Sequence, residues 1–594
     1  MPKFIGSMKK LRYLDLSHSF DFAIVPHEWG NLTELEVLDL HGYYRVGAID
    51  DFQWLSHLQA LKYLDMSGIH VNKSRDFMQV ISALPSLSHL SLSHCGLCNF
   101  HLSFDCLANS TALHLEYLDL SMNSLGGPIP SIPFQNMTSL EYLDLSMNSL
   151  GGPIPSIPFQ NMTSLEFLDL SWNSLGGPIP SIPFQNMTSL EFLDLSGNSL
   201  GGPIPSIPFQ NMTSLRHLYL FSNSFISSVP RWFNNLRSLI DLNLANNFLQ
   251  SIEGGLFSFL REQPFLESLC LDDNKLHEEI FSVEGSSSGP IGENFKQLRI
   301  SNNFLQGTLP DWLFHLKNLT VLDLSYNQLH GTIPSPYDWL CLRVLRLSSN
   351  QFTGNIPDAF GRLQVLSILD LSNNLLNGTI PHSLGQLQYL FSLDLSANSL
   401  RGTISEIHFS NFSKLRLLDT SNNHLAIKVD SDWIPPFNLR LQGGIPVTIK
   451  YCRNLKILDL GENKISGSVP HWIGPCFPLL QILRLRENMF NGSIPSQLCL
   501  LSALQILDMA VNNLTGTIPN CLGHMKGMKL NKSIDEGNSL SPTDASTTVP
   551  NPPPADTDWT QEHVEQVVKG MDLDYTTLDL KLMESLPCSP DCEA

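Results

Sequence analysis

The sequence predicts a right-handed repeat solenoid with a parallel β-sheet on its concave face and a mostly extended or 3-10 outer side. Three observations carry this. Residues 114–213 are one 25-residue unit written four times, HLEYLDLSMNSLGGPIPSIPFQNMT at 114–138 and again from Ser139, Ser164 and Ser189. Self-similarity at a period of 20–50 residues marks stacked supersecondary units that bury their apolar faces only against one another. Within the unit, Leu118 and Leu120 alternate with Asp119, the period of a strand with one buried face. The same leucine frame recurs on both sides of the copies, from Leu11, Leu35 and Leu61 to Leu455, Leu480 and Leu504, for about twenty turns.

The full pattern, L-x-x-L-x-L-x-x-N, is that of leucine-rich repeats, so the fold class is an α/β-type leucine-rich-repeat horseshoe or superhelix. Residues 1–113 read as irregular N-terminal repeats, 114–213 as the four near-identical ones, and 214–438 as further repeats. At Leu439 to Gly444 the text passes from the start of one strand into the end of another turn, so 439–451 reads as a deletion junction. Repeats resume over 452–528, a polar, proline-rich segment follows at 529–577, and 578–594 is a short tail. Asn123, Asn350, Asn374 and their equivalents follow each strand at a fixed offset, where a buried amide satisfies backbone groups leaving the sheet. The segment L-x-G-x-I-P then supplies a turn glycine and a helix-breaking proline, keeping the outer side extended. The four copies differ mainly at Met122, Met147, Trp172 and Gly197, and their near-identity reads as recent duplication that lengthens the solenoid.

Among 594 residues only 15% are charged, and 35 basic against 56 acidic side chains give a formal charge of −21. That balance argues against nucleic acid or an anionic membrane surface as partner. No run of 18 apolar residues spans a bilayer, and the opening MPKFIGSMKKLRYLDLS has no signal-peptide core before the first repeat. Against a cytosolic life stand the N-x-S/T sequons at Asn31, Asn72, Asn109, Asn136, Asn161, Asn186, Asn211, Asn318, Asn377, Asn411, Asn491, Asn513 and Asn531, candidate glycosylation sites of a secreted ancestor. Eleven cysteines leave at least one thiol unpaired. Cys499 and Cys521 lie about one turn apart near equivalent positions and suit a disulfide in an oxidising compartment, with free buried thiols as the alternative.

No catalytic, cofactor or metal residues emerge. Cys95, Cys98 and Cys106 lack the partners of a four-ligand zinc set. His563-Val564-Glu565 with Cys588 and Cys592 has one residue too many for a deaminase signature. Gly285 to Gly289 matches G-x-S-x-G by letters only, and kinase signatures are absent. Recognition instead belongs to the exposed strand positions. An aspartate column through Asp15, Asp39, Asp65, Asp119, Asp144, Asp169, Asp194, Asp323, Asp370, Asp394, Asp459 and Asp508 reads as a consensus residue tiling a solvated face. Among its irregular neighbours, Trp172, His217, Tyr219, Phe221, Tyr326, Arg343, Arg346, Phe391, Arg484 and Arg486 are the candidate ligand contacts on the concave face, aromatic and Arg side chains being common interface anchors.

The motif LDLSxNxLxGxIP, with ALKYLDMSGIHV (60–71), VDSDWIPPF (429–437) and LQILDMAVNNLTGTIPNCLGHMKGM (504–528), resembles plant leucine-rich-repeat receptor-like proteins, in particular the group of fungal ethylene-inducing-xylanase receptors. The likeness covers residues 1–528. It implies a non-enzymatic ectodomain at the extracellular face of the plasma membrane, held by a membrane helix, binding a protein or peptide such as a microbial elicitor and signalling in plant defence with a partner receptor kinase as co-receptor. Against that plan the chain reads as truncated at both ends, without signal peptide, N-terminal cap or membrane helix. The segment 529–577 resembles the family's island, with Lys569-Gly570 present but Thr560 where a Tyr is expected. The alternatives are a secreted inhibitor of microbial wall-degrading enzymes and a truncated, non-functional product.

Overall fold

The computed structural model describes residues 2–19, 25–42, 46–49, 52–71, 77–99, 114–129, 137–155, 159, 162–180, 187–205, 209, 211–277, 291–292, 294–336, 338–409, 411–412, 414–427, 454–525, 527, 563–568 and 571–576. They fall into two compact units, one of residues 1–390 with 397–400, the other of 391–396 with 401–594.

In the first unit each turn opens with a three-residue strand. Tyr13–Asp15, Val37–Asp39, Tyr63–Asp65, His89–Ser91 and Tyr117–Asp119 pair in parallel, each residue opposite its equivalent one turn on. The series runs through Tyr142–Asp144, Phe167–Asp169, Phe192–Asp194 and His217–Tyr219 to Ile368–Asp370. The second unit repeats the arrangement from Ser392–Asp394 through Leu417–Asp419, Ile457–Asp459 and Ile482–Arg484 to Ile506–Asp508. Register is fixed because the central leucine of each strand up to Ile482–Arg484 is buried, and a slip of one residue would expose every one of them. This is the leucine-rich-repeat solenoid with a parallel sheet that the sequence predicts.

Asparagines seal the turns beneath the sheet. Asn350, 9% exposed, donates from Nδ2 to the carbonyls of Leu324 (2.9 Å), Leu347 (3.2 Å) and Ser348 (3.1 Å), and its Oδ1 accepts the Leu329 N–H at 3.0 Å. Asn123, Asn148, Asn173, Asn198 and Asn374 do the same in their turns. Cys95 holds the position in its own turn, its thiol donating to the carbonyl of Met66 at 3.2 Å, and burial pushes that thiol far above its usual range.

The outer side has two parts. Before the proline it is extended and makes a second parallel sheet, for example Ser149–Gly152, Ser174–Gly177 and Ser199–Gly202. The glycine of L-x-G-x-I-P takes the left-handed conformation there, φ 79° at Gly152, which a side chain would resist. After the proline the chain turns into a 3-10 helix, as at Arg231–Asn235 after Pro230 and Asp358–Arg362 after Pro357. The proline therefore stands as the N-cap of a short helix, itself still extended (φ −75°, ψ 144° at Pro230). A longer α-helix occurs at Leu256–Glu262 and a single α-helical turn at Ile473–Cys476. The core holds Trp29, Phe159, Phe209, Phe225, Trp339 and Phe352, all fully buried.

In the second unit Leu417–Asp419 lies directly beside Ile457–Asp459. The junction expected at 439–451 lies between them, outside the described residues. Within the proline-rich segment, His563–Val568 and Met571–Thr576 pair antiparallel, while the tail at 578–594 is outside the described residues. Cys499 and Cys521 are joined as a disulfide in the outermost described turns. No helix among the described residues is long and apolar enough to cross a membrane.

Candidate recognition surface

Each turn places its non-leucine strand residues in columns on the open face of the sheet. The first column, set by the strand's first residue, is aromatic over six successive turns. Tyr63, His89, Tyr117, Tyr142, Phe167 and Phe192 stack ring on ring, with centroids 3.8–4.3 Å apart and planes 7–14° from parallel. His217 follows, tilted at 41°. Burial in the stack lowers His89 to about 4, so its imidazole is a neutral ring at physiological pH. The row is visible in the sequence as an aromatic two residues after each first leucine, but only when turns are compared column by column.

The aspartate column departs from the solvated face expected of it. Asp194, Asp323, Asp370, Asp394 and Asp459 are buried. In every turn where it occurs the carboxylate accepts the backbone N–H two residues on: Ser121 to Asp119 at 2.8 Å, Ser171 to Asp169 at 2.8 Å, Ser372 to Asp370 at 3.0 Å, Gly461 to Asp459 at 2.9 Å. The side chain is a local cap that closes the strand end. Burial, then the neighbouring carboxylates, push Asp144 well above the usual range, and they raise Asp169 to about 7. Burial likewise raises Asp194 to about 6.

The column that distinguishes the four copies lies just after the strand, where the backbone is left-handed: φ 54° at Met122, 51° at Met147, 52° at Trp172, 61° at Gly197 and 53° at Tyr326. The N–H groups there still join the next turn, Trp172 to the Ser196 carbonyl and Tyr326 to that of Ser348, both at 2.9 Å. Their side chains project outward, Met147 50%, Trp172 55% and Tyr326 59% exposed. Gly197 seats the indole: a Cβ there would meet Trp172 Cδ2 at 2.7 Å. Neighbouring copies accept a side chain at the same φ, so backbone strain is not what a substitution would meet. Gly197→Ala should therefore displace the indole and shift Trp172 fluorescence emission, while global stability changes by less than about 1 kcal/mol.

The other candidates are placed differently from the expectation of exposed concave contacts. Tyr219 is 5% exposed and set edge-on to Phe192 with ring centroids 5.5 Å apart, its hydroxyl without a hydrogen-bond partner. His217 Nδ1 lies 2.8 Å from Asp241 Oδ2 but is not aligned for a hydrogen bond. Phe221 is half-buried. Arg346 pairs with Asp323 at 3.3 Å, Arg484 with Asp459 at 3.1 Å, and Arg486 with Glu487 at 3.3 Å and Asp508 at 3.7 Å. These guanidiniums are largely covered and answer the aspartate column of neighbouring turns. Arg343 and Phe391 sit one residue before their strands. Arg343 is exposed, and the Arg416 guanidinium lies over the Phe391 ring at 4.8 Å. Of the sequon asparagines, Asn31, Asn211, Asn318, Asn377, Asn491 and Asn513 are exposed and Asn411 is half-buried. Asn72, Asn109, Asn136, Asn161, Asn186 and Asn531 lie outside the described residues.

Two leucine-rich-repeat family models match the chain, one over 113–175 and 341–400, the other over six segments from 189–211 to 503–525. The receptor-like protein EIX1 of Solanum lycopersicum is 42% identical over 123 residues, covering 21% of this chain and 12% of that relative. Receptor-like protein 14 of Arabidopsis thaliana is 32% identical over 90 residues, covering 14% and 9%. The chain carries leucine-rich repeats and is similar to plant leucine-rich-repeat receptor-like proteins. Its matches thus span about an eighth or less of these relatives' own length. The solved plant peptide hormone receptor RGFR1, in complex with RGF2, superposes on this chain with a TM-score of 0.67 at 28% identity, covering 89% of this chain and 86% of that one. The HAESA ectodomain of Arabidopsis, in complex with an IDA peptide hormone, gives 0.61 at 28% over 87% and 77%.

Proposed function

We propose that this chain is a non-enzymatic recognition ectodomain that binds a peptide or protein ligand on the open face of its sheet. One observation carries the reading. Met122, Met147 and Trp172 stand exposed at one position of successive turns, beside the aromatic row and on backbone that is hydrogen-bonded from turn to turn. Exposed apolar side chains on a rigid frame lose little entropy on binding and make good interface anchors. The same turns carry Glu116, Asp119, Glu141, Asp144, Glu166, Asp169, Glu191 and Asp194 and no Lys or Arg, which favours a ligand with cationic groups. The solved neighbours include HAESA bound to the peptide IDA and the co-receptor SERK1. That likeness supports a peptide ligand and a receptor-kinase partner, and the sequence's resemblance to xylanase receptors makes the proposed ligand a microbial elicitor in plant defence, met at the extracellular face of the plasma membrane.

The test is surface plasmon resonance of the secreted chain against fractionated fungal culture filtrates and receptor-kinase ectodomains. Trp172→Ala combined with Tyr326→Ala should weaken ligand binding at least tenfold, as anchors worth about 2 kcal/mol do, with thermal stability unchanged. Absence of binding to every filtrate and every kinase ectodomain would sink the reading.

A further inference from the structure

We propose that Asp39, His41 and Asp65 form a binding site for a first-row transition-metal dication such as Zn(II). His41 stands where Ser17, Ser67, Ser93 and Ser121 stand in their own turns. From that position its Nδ1 lies 2.7 Å from Asp39 Oδ1 and 3.8 Å from Asp65 Oδ2. The three donor atoms are all within 4.8 Å of one another, a spread that one small ion spans with minor side-chain adjustment. Strand register holds the carboxylates in place, Asp39 opposite Asp65 and Asp15 opposite Asp39.

A second observation is independent of the carboxylates. His41 Nε2 lies 2.9 Å from His18 Nε2, the two rings edge to face with centroids 4.4 Å apart. A ligating imidazole characteristically donates its other N–H to an outer partner, which fixes its tautomer and orientation. His18 is so placed, leaving Nδ1 to face the two carboxylates. Charge points the same way. The cations of the adjoining turns, Arg12 and Lys62, are drawn to Glu36 at 3.6 and 2.7 Å, while Asp39 and Asp65 face the one imidazole. Without a metal His41 donates Nδ1–H to Asp39, and its Nε2 donates to or accepts from His18 Nε2 according to the tautomer. With one, the Nδ1 proton leaves as the ion binds.

One imidazole and two carboxylates favour Zn(II), Co(II) or Mn(II) over Mg(II) and Ca(II), which take all-oxygen sets. Three protein donors leave a coordination position for water or for an oxygen or nitrogen donor of a bound partner. The Asp39 and Asp65 side chains are 15% exposed and that of His41 33%, so an ion reaches them from solvent.

The experiment is titration of the secreted, chelator-stripped full chain with Co(II), followed by visible absorption. One equivalent should produce the d–d bands of a low-symmetry site, abolished by excess Zn(II) but not by Mg(II). His41→Ser, which restores the residue most turns carry and so leaves the repeat intact, should remove the bands. Asp65→Asn should weaken Co(II) binding at least tenfold with far-ultraviolet circular dichroism unchanged. Absence of bands in the unaltered protein, or equal bands in the His41→Ser variant, overturns the proposal.

Discussion

Asn350→Ala is expected to cost about 2 kcal/mol, because it removes every hydrogen bond of one buried amide and leaves a buried N–H without its partner, which by itself costs roughly 1–3 kcal/mol. The substitution leaves the N–H of Leu329 without its partner and takes one donor from the carbonyls of Leu324, Leu347 and Ser348, which keep the Asn327 amide, the Asn374 amide and the Tyr326 N–H. Solenoid turns are stabilised mainly by their neighbours, so the loss will show first as local opening. Hydrogen exchange should therefore quicken over the strands Val321–Asp323 and Val344–Arg346 before the midpoint of global urea unfolding moves. Asn350→Cys should cost less, since the Cys95 thiol already makes the corresponding bond to the Met66 carbonyl. Unchanged exchange in the alanine variant would refute the sealing role.

The second large effect is a stability that rises on acidification. Burial raises Asp169 and Asp194 in the folded chain to about 7 and about 6, against 3.8 for the ordinary carboxyl, and raises Asp144 well above it too. A carboxyl whose folded pKa exceeds its unfolded one binds its proton more tightly when folded. Stability is then lowest above pH 7 and grows as pH falls through 7 towards 4. Each unit of upward shift corresponds to about 1.4 kcal/mol, so the coupled column moves the melting temperature by several degrees. Asp169→Asn keeps an oxygen for the Ser171 N–H, and should raise the melting temperature at pH 7.5 and flatten the pH profile. A melting temperature that falls from pH 7.5 to pH 5 would refute the burial of charge in this column.

The repeat frame was legible because it depends on residues whose role is local: leucines at strand spacing, an asparagine at a fixed offset, a glycine before a proline. The exposed surface was less legible because it depends on partners a full turn away. Arg346 and Arg484 read as free interface anchors, but the sheet brings each against an aspartate 23 and 25 residues earlier. Tyr219 occupies the aspartate column and is covered like its column-mates. Trp172 and Tyr326 stood out correctly as exposed side chains, since left-handed backbone after the strand turns whatever sits there outward. Tyr117, Tyr142, Phe167 and Phe192 do not stand out in the sequence, because near-identical copies carry them. Repetition is what puts their rings in contact. His41 escaped notice because its meaning lies in Asp65, one turn further on.

The bonds joining the four copies to one another are the same at every junction: the N–H groups of Glu141, Glu166 and Glu191 each reach the glutamate carbonyl of the preceding copy at 2.8 Å. Unequal recombination that adds or drops one whole copy would leave each surviving junction as it was. Within the first unit, the turns from Leu215 to Leu390 would then move relative to those before His114 by one strand spacing, about 4.8 Å. The tandem block is thus a spacer adjustable in fixed steps, by which a gene can alter the reach between two contact patches while changing neither.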